Sequence, residues 1–362
     1  MAFRHRRLRL RLAAVAAVAT AALALTACSG SGASPSGSAS GQPAELMPVN
    51  VQVYPGVLIS LPQYVADKKG FFTKHGLKVS LVGANSAPEA FQAQISGGID
   101  IVSSALSVGL VTAEQMRKSG GKDSEKAIMG SVGPLYYSII GDKTKDWPKS
   151  DDPKTMLKAL QGKTVGVASL GADTQRVLQG LMQLYGLDPA SINFVAVGLA
   201  ASAIAALQAH QIDALVASPP AGDILTFKGG AGVSLLDLRK GSSNPALNPW
   251  AFDDYFALSS WLDKNPKTAK AFQAATKETI AYMRDPKNLD EITQIFASGT
   301  SGLTPDQAKQ VVKAFLPLYD NNINCAGTEN VVNFYIKYAK TITQPVSCND
   351  FAWEGASSYI QK

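Results

Sequence analysis

The sequence predicts an α/β protein built as two similar lobes, and two observations carry that expectation. Two well-separated stretches follow one plan. The first runs from Gly76-Leu77 through an apolar strand (Lys78 to Val82) and an Ala-rich helix to Ile99-Asp100, ending in Ile101-Val102-Ser103-Ser104-Ala105. The second runs from Gly186-Leu187 through Ile192 to Val197 and another Ala-rich helix to Ile212-Asp213, ending in Ala214-Leu215-Val216-Ala217-Ser218. Each reads as a βαβ-like unit, and two such units imply two α/β lobes with a crevice between them. The second observation is an absence of catalytic sets in the sequence pattern. A chain that duplicates its lobes without a nucleophile, base and acid at useful spacing is suited to clasping a small molecule.

The elements follow in order. Residues 1–28 read as a targeting segment: Arg4, His5, Arg6, Arg7, Arg9 and Arg11 form a basic region, and Leu12 to Leu25 an apolar one too short to span a membrane comfortably. Leu25-Thr26-Ala27-Cys28 matches a lipobox, which makes Cys28 the expected lipidated N-terminus of the mature chain. An ordinary signal peptide or a short anchor are the alternatives. Residues 29–46, rich in Ser, Gly, Ala and Pro, form the expected flexible tether, because such a composition buries too little apolar surface to offset chain entropy. The protein is therefore expected to be exported and lipid-anchored at the outer face of a membrane or in the periplasm.

Charge and cysteines narrow the classes. Removing the leader's five arginines from 34 basic residues leaves 29 against 28 acidic ones, so the overall charge of +6 gives no argument for a nucleic-acid partner. Cys325 and Cys348 remain as an even pair in an exported chain, either as a disulfide or as two buried thiols; their spacing without matching histidines makes a poor metal site, and neither metal nor cofactor is expected.

In the mature chain, Met47 to Val53 is a strand broken by Tyr54-Pro55-Gly56, and Pro62 suits the first turn of the helix that follows. Ala127 to Ile140 reads as a strand region interrupted at Gly133-Pro134. Asp152-Pro153 starts a helix, Lys163 to Ala168 opens the second lobe, and Asp254 to Ser259 is the return strand. Asn265-Pro266, Asp285-Pro286 and Thr304-Pro305 each pair a cap with a proline, and Gln307 completes a capping box for Thr304. The expected division is residues 47–140 and 248–362 for the first lobe and 141–247 for the second, with the last 100 or so residues a helical elaboration of the first.

Ligands of parallel α/β sheets sit beyond the carboxyl ends of the strands. The expected binding residues are therefore Tyr54, Ser60, Asn85, Ser86, Ser104, Ser169, Gly171, Asp173, Thr174 and Ser218. Their small and hydroxylated side chains leave room for a solute, and helix N-termini suit an oxoanion-bearing one. The competing reading makes Asn85, Ser86 and Asp173 helix caps. Arg176, Asp223 and Trp250 are weaker candidates. Catalytic residues are not expected: His75 and His210, the two histidines beyond the leader, sit at helix ends, and Gly162-Lys163-Thr164 lacks the upstream glycine of a phosphate loop.

Ala66-Asp67-Lys68-Lys69-Gly70-Phe71-Phe72 running to Gly76-Leu77-Lys78-Val79 resembles the signature of ABC-importer solute-binding proteins of the nitrate, sulfonate, taurine and thiamine-pyrimidine-precursor (SsuA/TauA-like) group. Leu160 to Val167 and Ala206-Leu207 to Ile212-Asp213-Ala214 are similar to two further elements of that family, with His210-Gln211 where it usually has glycine. The resemblance covers roughly residues 48–300. It implies a type II periplasmic-binding-protein fold, two lobes with a hinge and a C-terminal helical elaboration. It also implies a monomer that captures a small organic solute or oxoanion (sulfonate-, nitrate-, taurine- or pyrimidine-like) and delivers it to an ABC permease with its ATPase subunit. The alternatives within the fold are a lipoprotein that senses its ligand and, with less support, an enzyme of the desulfinase or pyrimidine-synthase type.

Overall fold

The structure, a computed structural model, describes residues 45–361. The expected leader, Cys28 and nearly all of the tether lie outside the described residues. Strands β1 (Met47–Val53), β2 (Leu77–Gly83), β3 (Val102–Ala105) and β4 (Glu125–Val132) come first. Next are β5 (Ser138–Asp142), β6 (Thr164–Val167), β7 (Asn193–Ala196), β8 (Ala214–Ala217) and β9 (Gly232–Asp237), and β10 (Asp253–Leu258) follows them. They form two sheets with one topology. The second is ordered β7-β6-β8-β5-β9. The first follows β2-β1-β3-β10-β4, its β1 joined to the β3 segment through a parallel bridge between Val51 and Ile101. In each sheet four strands run in one direction and one is antiparallel to its neighbours: β10 in the first, β5 in the second.

That antiparallel strand is where the chain changes sheets. β4 belongs to the first sheet and β5 to the second, so the strand region expected over Ala127 to Ile140 is two strands on different sheets. The crossing lies within Gly133 to Tyr137, ahead of the expected division at 140/141. The return crossing lies between Asp237 and Asp253.

The duplicated Ile-Asp explains itself in hydrogen bonds. The Asp100 amide donates to the Asn50 carbonyl (2.9 Å) while its Oδ2 accepts from the Asn50 amide (2.8 Å). Asp213 does the same to Thr164, at 2.8 and 2.9 Å. Asn50 lies on β1 and Thr164 on β6, the corresponding strands of the two sheets. Ile99 and Ile212 are buried ahead of them. An apolar residue anchors the core and the aspartate registers the next strand on its neighbour.

Helices fill the connections: α1 (Leu61–Lys68), α2 (Phe71–Lys74), α3 (Ala87–Ile95), α4 (Leu106–Lys118), α5 (Pro153–Lys158), α6 (Asp173–Leu184), α7 (Ala200–Gln208) and α8 (Ala221–Thr226). After β10 come α9 (Ser259–Lys264), α10 (Pro266–Arg284), α11 (Leu289–Ser298), α12 (Pro305–Phe315) and α13 (Cys325–Phe334). Proline opens α5, α10 and α12, and the Thr304–Gln307 capping box is formed. Asp285-Pro286 instead starts a short 3-10 turn ahead of α11.

α10 packs on α1 and α2, stacking Phe72 on Phe272 and setting Phe71 edge-on to Tyr282. The last segment does more than elaborate the first sheet. The π-helical turn Tyr335–Ala339 packs on α6, behind β6, and a Cβ on Gly180 would meet the Phe334 ring at 2.4 Å. Glycine there lets α6 and the C-terminal segment approach closely. Cys325 and Cys348 pair their sulfurs across that segment, with Cα atoms 5.2 Å apart.

Candidate functional site

The carboxyl ends of β1, β3, β6 and β8 and the two crossings converge on a cleft with a cavity volume of about 40 Å³. Tyr54 enters from the end of β1, Ser104 and Ala105 from β3, and Asp173 and Thr174 from the start of α6. Ser218 comes from β8, Tyr136 and Tyr137 from the outgoing crossing, and Phe252 and Asp253 from the return. The rings of Tyr136, Tyr137 and Phe252 form a cluster, with Tyr136 and Phe252 centroids 4.3 Å apart. Both crossings thus end in aromatic side chains that face the same space.

The polar side of the cleft is unusual in two respects. Asp173 and Asp253 line it, and among the described residues no lysine, arginine or histidine does. Several polar atoms there also have no hydrogen-bond partner: the Tyr54 hydroxyl, Ser104 Oγ and Asp253 Oδ2, on residues 5%, 1% and 2% exposed. Buried polar groups are normally paired, so unpaired ones lining a cavity mark places for a ligand's atoms.

Ser103 donates to Asp253 Oδ1 at 2.9 Å. Burial pushes the Asp253 carboxyl well above the usual range, the Ser103 hydrogen bond works against that, and neighbouring Asp254 adds to it. Asp173 is also raised by burial, offset in part by hydrogen bonds from Ser107 and Tyr335. Arg176, one turn further along α6, interacts electrostatically with Asp173 yet lies outside the lining, and burial lowers its own pKa.

Three contacts span the cleft. Ser107, in the first turn of α4, donates to Asp173, and Tyr335 donates to the same Oδ1 from the C-terminal turn. The Leu58 amide donates to the Pro219 carbonyl at 3.1 Å, joining the loop after β1 to the loop after β8. The two halves therefore meet at the rim through polar contacts and enclose the site behind them.

A model of the NMT1-like family matches residues 56–297. The chain belongs to the NMT1-like family. Solved structures agree on the fold, that of periplasmic binding proteins. A protein from Bordetella bronchiseptica RB50 superposes with a TM-score of 0.75 at 23% identity, over 88% of this chain and 98% of its own. The alkanesulfonate-binding protein SsuA from Xanthomonas axonopodis pv. citri, solved bound to MOPS, gives 0.67 at 15% identity, over 86% and 99%. The periplasmic nitrate-binding protein NrtA from Synechocystis PCC 6803 gives 0.59 at 17%, over 73% and 69%. No curated protein matches the chain.

Within this NMT1-like chain, five of the ten expected binding residues line the cleft: Tyr54, Ser104, Asp173, Thr174 and Ser218. The other five do not. Ser60 is buried below it, where its Oγ accepts from the Tyr54 amide at 2.8 Å and holds that turn. Ser86 is the N-cap of α3, and Asn85 is exposed, its amide held by the Glu89 carboxylate at 2.9 Å. Ser169 and Gly171 sit in the loop after β6. Gly171, at φ +80°, donates to Gln175 Oε1 (2.6 Å) and provides the left-handed turn into α6. Asp173 is not a cap, since Ala172 occupies that position. Of the weaker candidates, Arg176 and Asp223 pair or couple outside the lining, and Trp250 packs on Phe334.

Tyr136, Tyr137, Phe252 and Asp253 were not legible as site residues, because they belong to the crossings. One signal was present: Asp253-Asp254 opens an otherwise apolar strand, and buried acids in such a run invite explanation. Chemically the cleft offers aromatic faces, carboxyls and hydroxyls. Its lining contains no cysteine or histidine. Among the described residues no group of three His, Cys, Asp or Glu side chains is placed to hold a metal, and no helix is long and apolar enough to cross a membrane.

Proposed function

We propose that this chain is the extracytoplasmic solute-binding component of an ABC importer. It captures a small organic solute in the cleft and hands it to a membrane permease driven by an ATPase subunit. In this reading Cys28 carries the lipid, residues 29–46 tether the domain to the outer membrane face, and the Cys325–Cys348 bond forms on export. Residues carried on the two sheets act as the two lobes, swinging about the crossings at Gly133 to Tyr137 and Leu238 to Phe252.

The observation that supports this most directly is the cleft itself. It lies at the ends of both sheets, is bridged by contacts easily broken by a hinge motion, and is lined by polar atoms without partners. The absence of any cysteine or histidine from its lining gives no support to nucleophilic chemistry there. Family membership and the sulfonate- and nitrate-binding neighbours are in keeping with it.

Uptake tests the reading. In cells lacking the chromosomal copy, accumulation of the solute should fall to background and return with the wild-type gene. A Cys28→Ser chain should leave the membrane fraction and restore uptake poorly. Chemical turnover of a bound solute, or uptake that survives deletion, would count against the proposal.

A further inference from the structure

The solute-binding reading leaves the ligand class open, and the cleft lining narrows it. We infer that the recognised group is a protonated amine, seated against Asp253 beneath the aromatic cluster, rather than an oxoanion. This inference rests on the proposed solute-binding role and adds the chemistry of the bound group.

The argument is one of complementarity. The unpartnered buried atoms that line the cleft are Asp253 Oδ2, an acceptor when ionised, and the Ser104 and Tyr54 hydroxyls, each able to accept a hydrogen bond as well as donate one. An ammonium supplies three donors and no acceptor, so it can satisfy this set at once. An ammonium beside Asp253 favours the ionised form of a carboxyl that burial otherwise holds toward its neutral form, and Ser103 already donates to its other oxygen. The rings of Tyr136 and Phe252, which line the same space, add cation–π attraction.

An oxoanion would meet a lining with no basic side chain and two buried carboxyls. Helix N-termini do point at the cleft, but two of them already carry acids of their own, Glu89 in α3 and Asp173 in α6. The ends at Ala105 and Leu199 carry no acid, and each adds a small attraction toward an anion. Against that stand two buried carboxyls, which an anion beside them would hold in the neutral form and an ammonium would let ionise. Arg176 lies outside the lining, coupled electrostatically to Asp173, with its Nη1 buried without a hydrogen-bond partner.

Matched ligand pairs differing only by an amine test the inference on the full chain purified in detergent, by calorimetry and thermal shift. The pairs are phenethylamine with 2-phenylethanol and taurine with ethanesulfonate, and nitrate is included alone. The expected result is binding of at least one amine member, at least tenfold tighter than its amine-free partner. Asp253→Asn should remove that preference, and Tyr54→Phe should weaken it several-fold in a chain that differs by one hydroxyl. Equal binding within pairs, or binding of ethanesulfonate or nitrate without the amines, would overturn the amine assignment and leave the solute-binding reading standing. No binding by any of the five compounds would overturn the assignment and count against the solute-binding reading too.

Discussion

Ser107 and Asp173 are bonded across the cleft, hydroxyl to carboxylate, from the first turns of two helices that follow strands in different sheets. The bond links α4 to α6 and so fixes how far apart the two sheets can sit while it persists. Tyr335 reaches the same oxygen from the C-terminal segment, so one carboxylate gathers three parts of the chain. Burial without such donors would leave Asp173 a costly group.

Ser107→Ala should therefore favour the open form. Losing one hydrogen bond to a buried carboxyl is worth about 1–2 kcal/mol, so ligand affinity should fall roughly tenfold. Calorimetry measures the affinity, and small-angle scattering should show a larger radius of gyration without ligand. An unchanged radius and affinity would remove the bond from the closing motion. Asn85→Ala, by contrast, should change affinity less than twofold, because Asn85 is exposed outside the cleft lining.

Glu125 is 1% exposed and neither carboxyl oxygen has a partner; burial, aided by Asp123, pushes its pKa up to about 8. The folded state thus holds a proton that the unfolded state has lost once pH exceeds about 4.5. Its stabilising contribution is complete below that pH and declines as pH rises toward 8. Glu125→Gln should be close to neutral in acid and gain on the wild type by up to about 1.4 kcal/mol per pH unit across that window, levelling off above 8. Urea unfolding at pH 5, 7 and 9 measures the difference.

Glu114 runs the opposite way. Burial favours its neutral form, but hydrogen bonds from Lys118 and Thr343 outweigh that and lower its pKa to about 2. It accepts from the Thr343 amide at 3.0 Å and pairs with Lys118 at 2.6 Å, tying the C-terminal segment to α4. The contribution is present above the ordinary carboxylate range and is lost as pH falls from about 4.5 toward 2. Hydrogen exchange of the Thr343 amide should accelerate in that window relative to the sheet amides, and Glu114→Gln should show the faster exchange already at neutral pH.

Cys325→Ser with Cys348→Ser should destabilise the chain by about 3 kcal/mol, the loop-closure entropy of a bridge between residues 23 apart in sequence. The melting temperature should drop by several degrees, and reductant should lower that of the wild type similarly while leaving the double variant unmoved.

The repeat was readable because its parts are local. The glycines Gly76 and Gly186 at helix ends, the apolar strands and the Ile-Asp pairs each act within a few residues, and the structure gives both copies the same hydrogen bonds. His210 shows local substitution within the plan. It takes φ +53° at the end of α7, where the other copy has Gly97, and its Nδ1 lies 2.6 Å from the Asp142 carboxylate. A hydrogen bond there offsets the strain that glycine would have avoided.

The sequence by itself determined two α/β units, their strand ends, the proline starts of α10 and α12 and the Thr304 cap, since periodicity, glycine and proline act over short range. Five of the ten expected residues line the cleft because strand ends are also cleft ends. Only the tertiary structure decided which sheet Ser138–Asp142 and Asp253–Leu258 would join, and with them that Tyr136, Tyr137, Phe252 and Asp253 face one cavity. Strand pairing between residues far apart in sequence, such as Ser138 with Ala217 and Asp253 with Ala105, depends on how two finished sheets pack, and no local pattern encodes it. The chemistry of the cleft depends on that pairing.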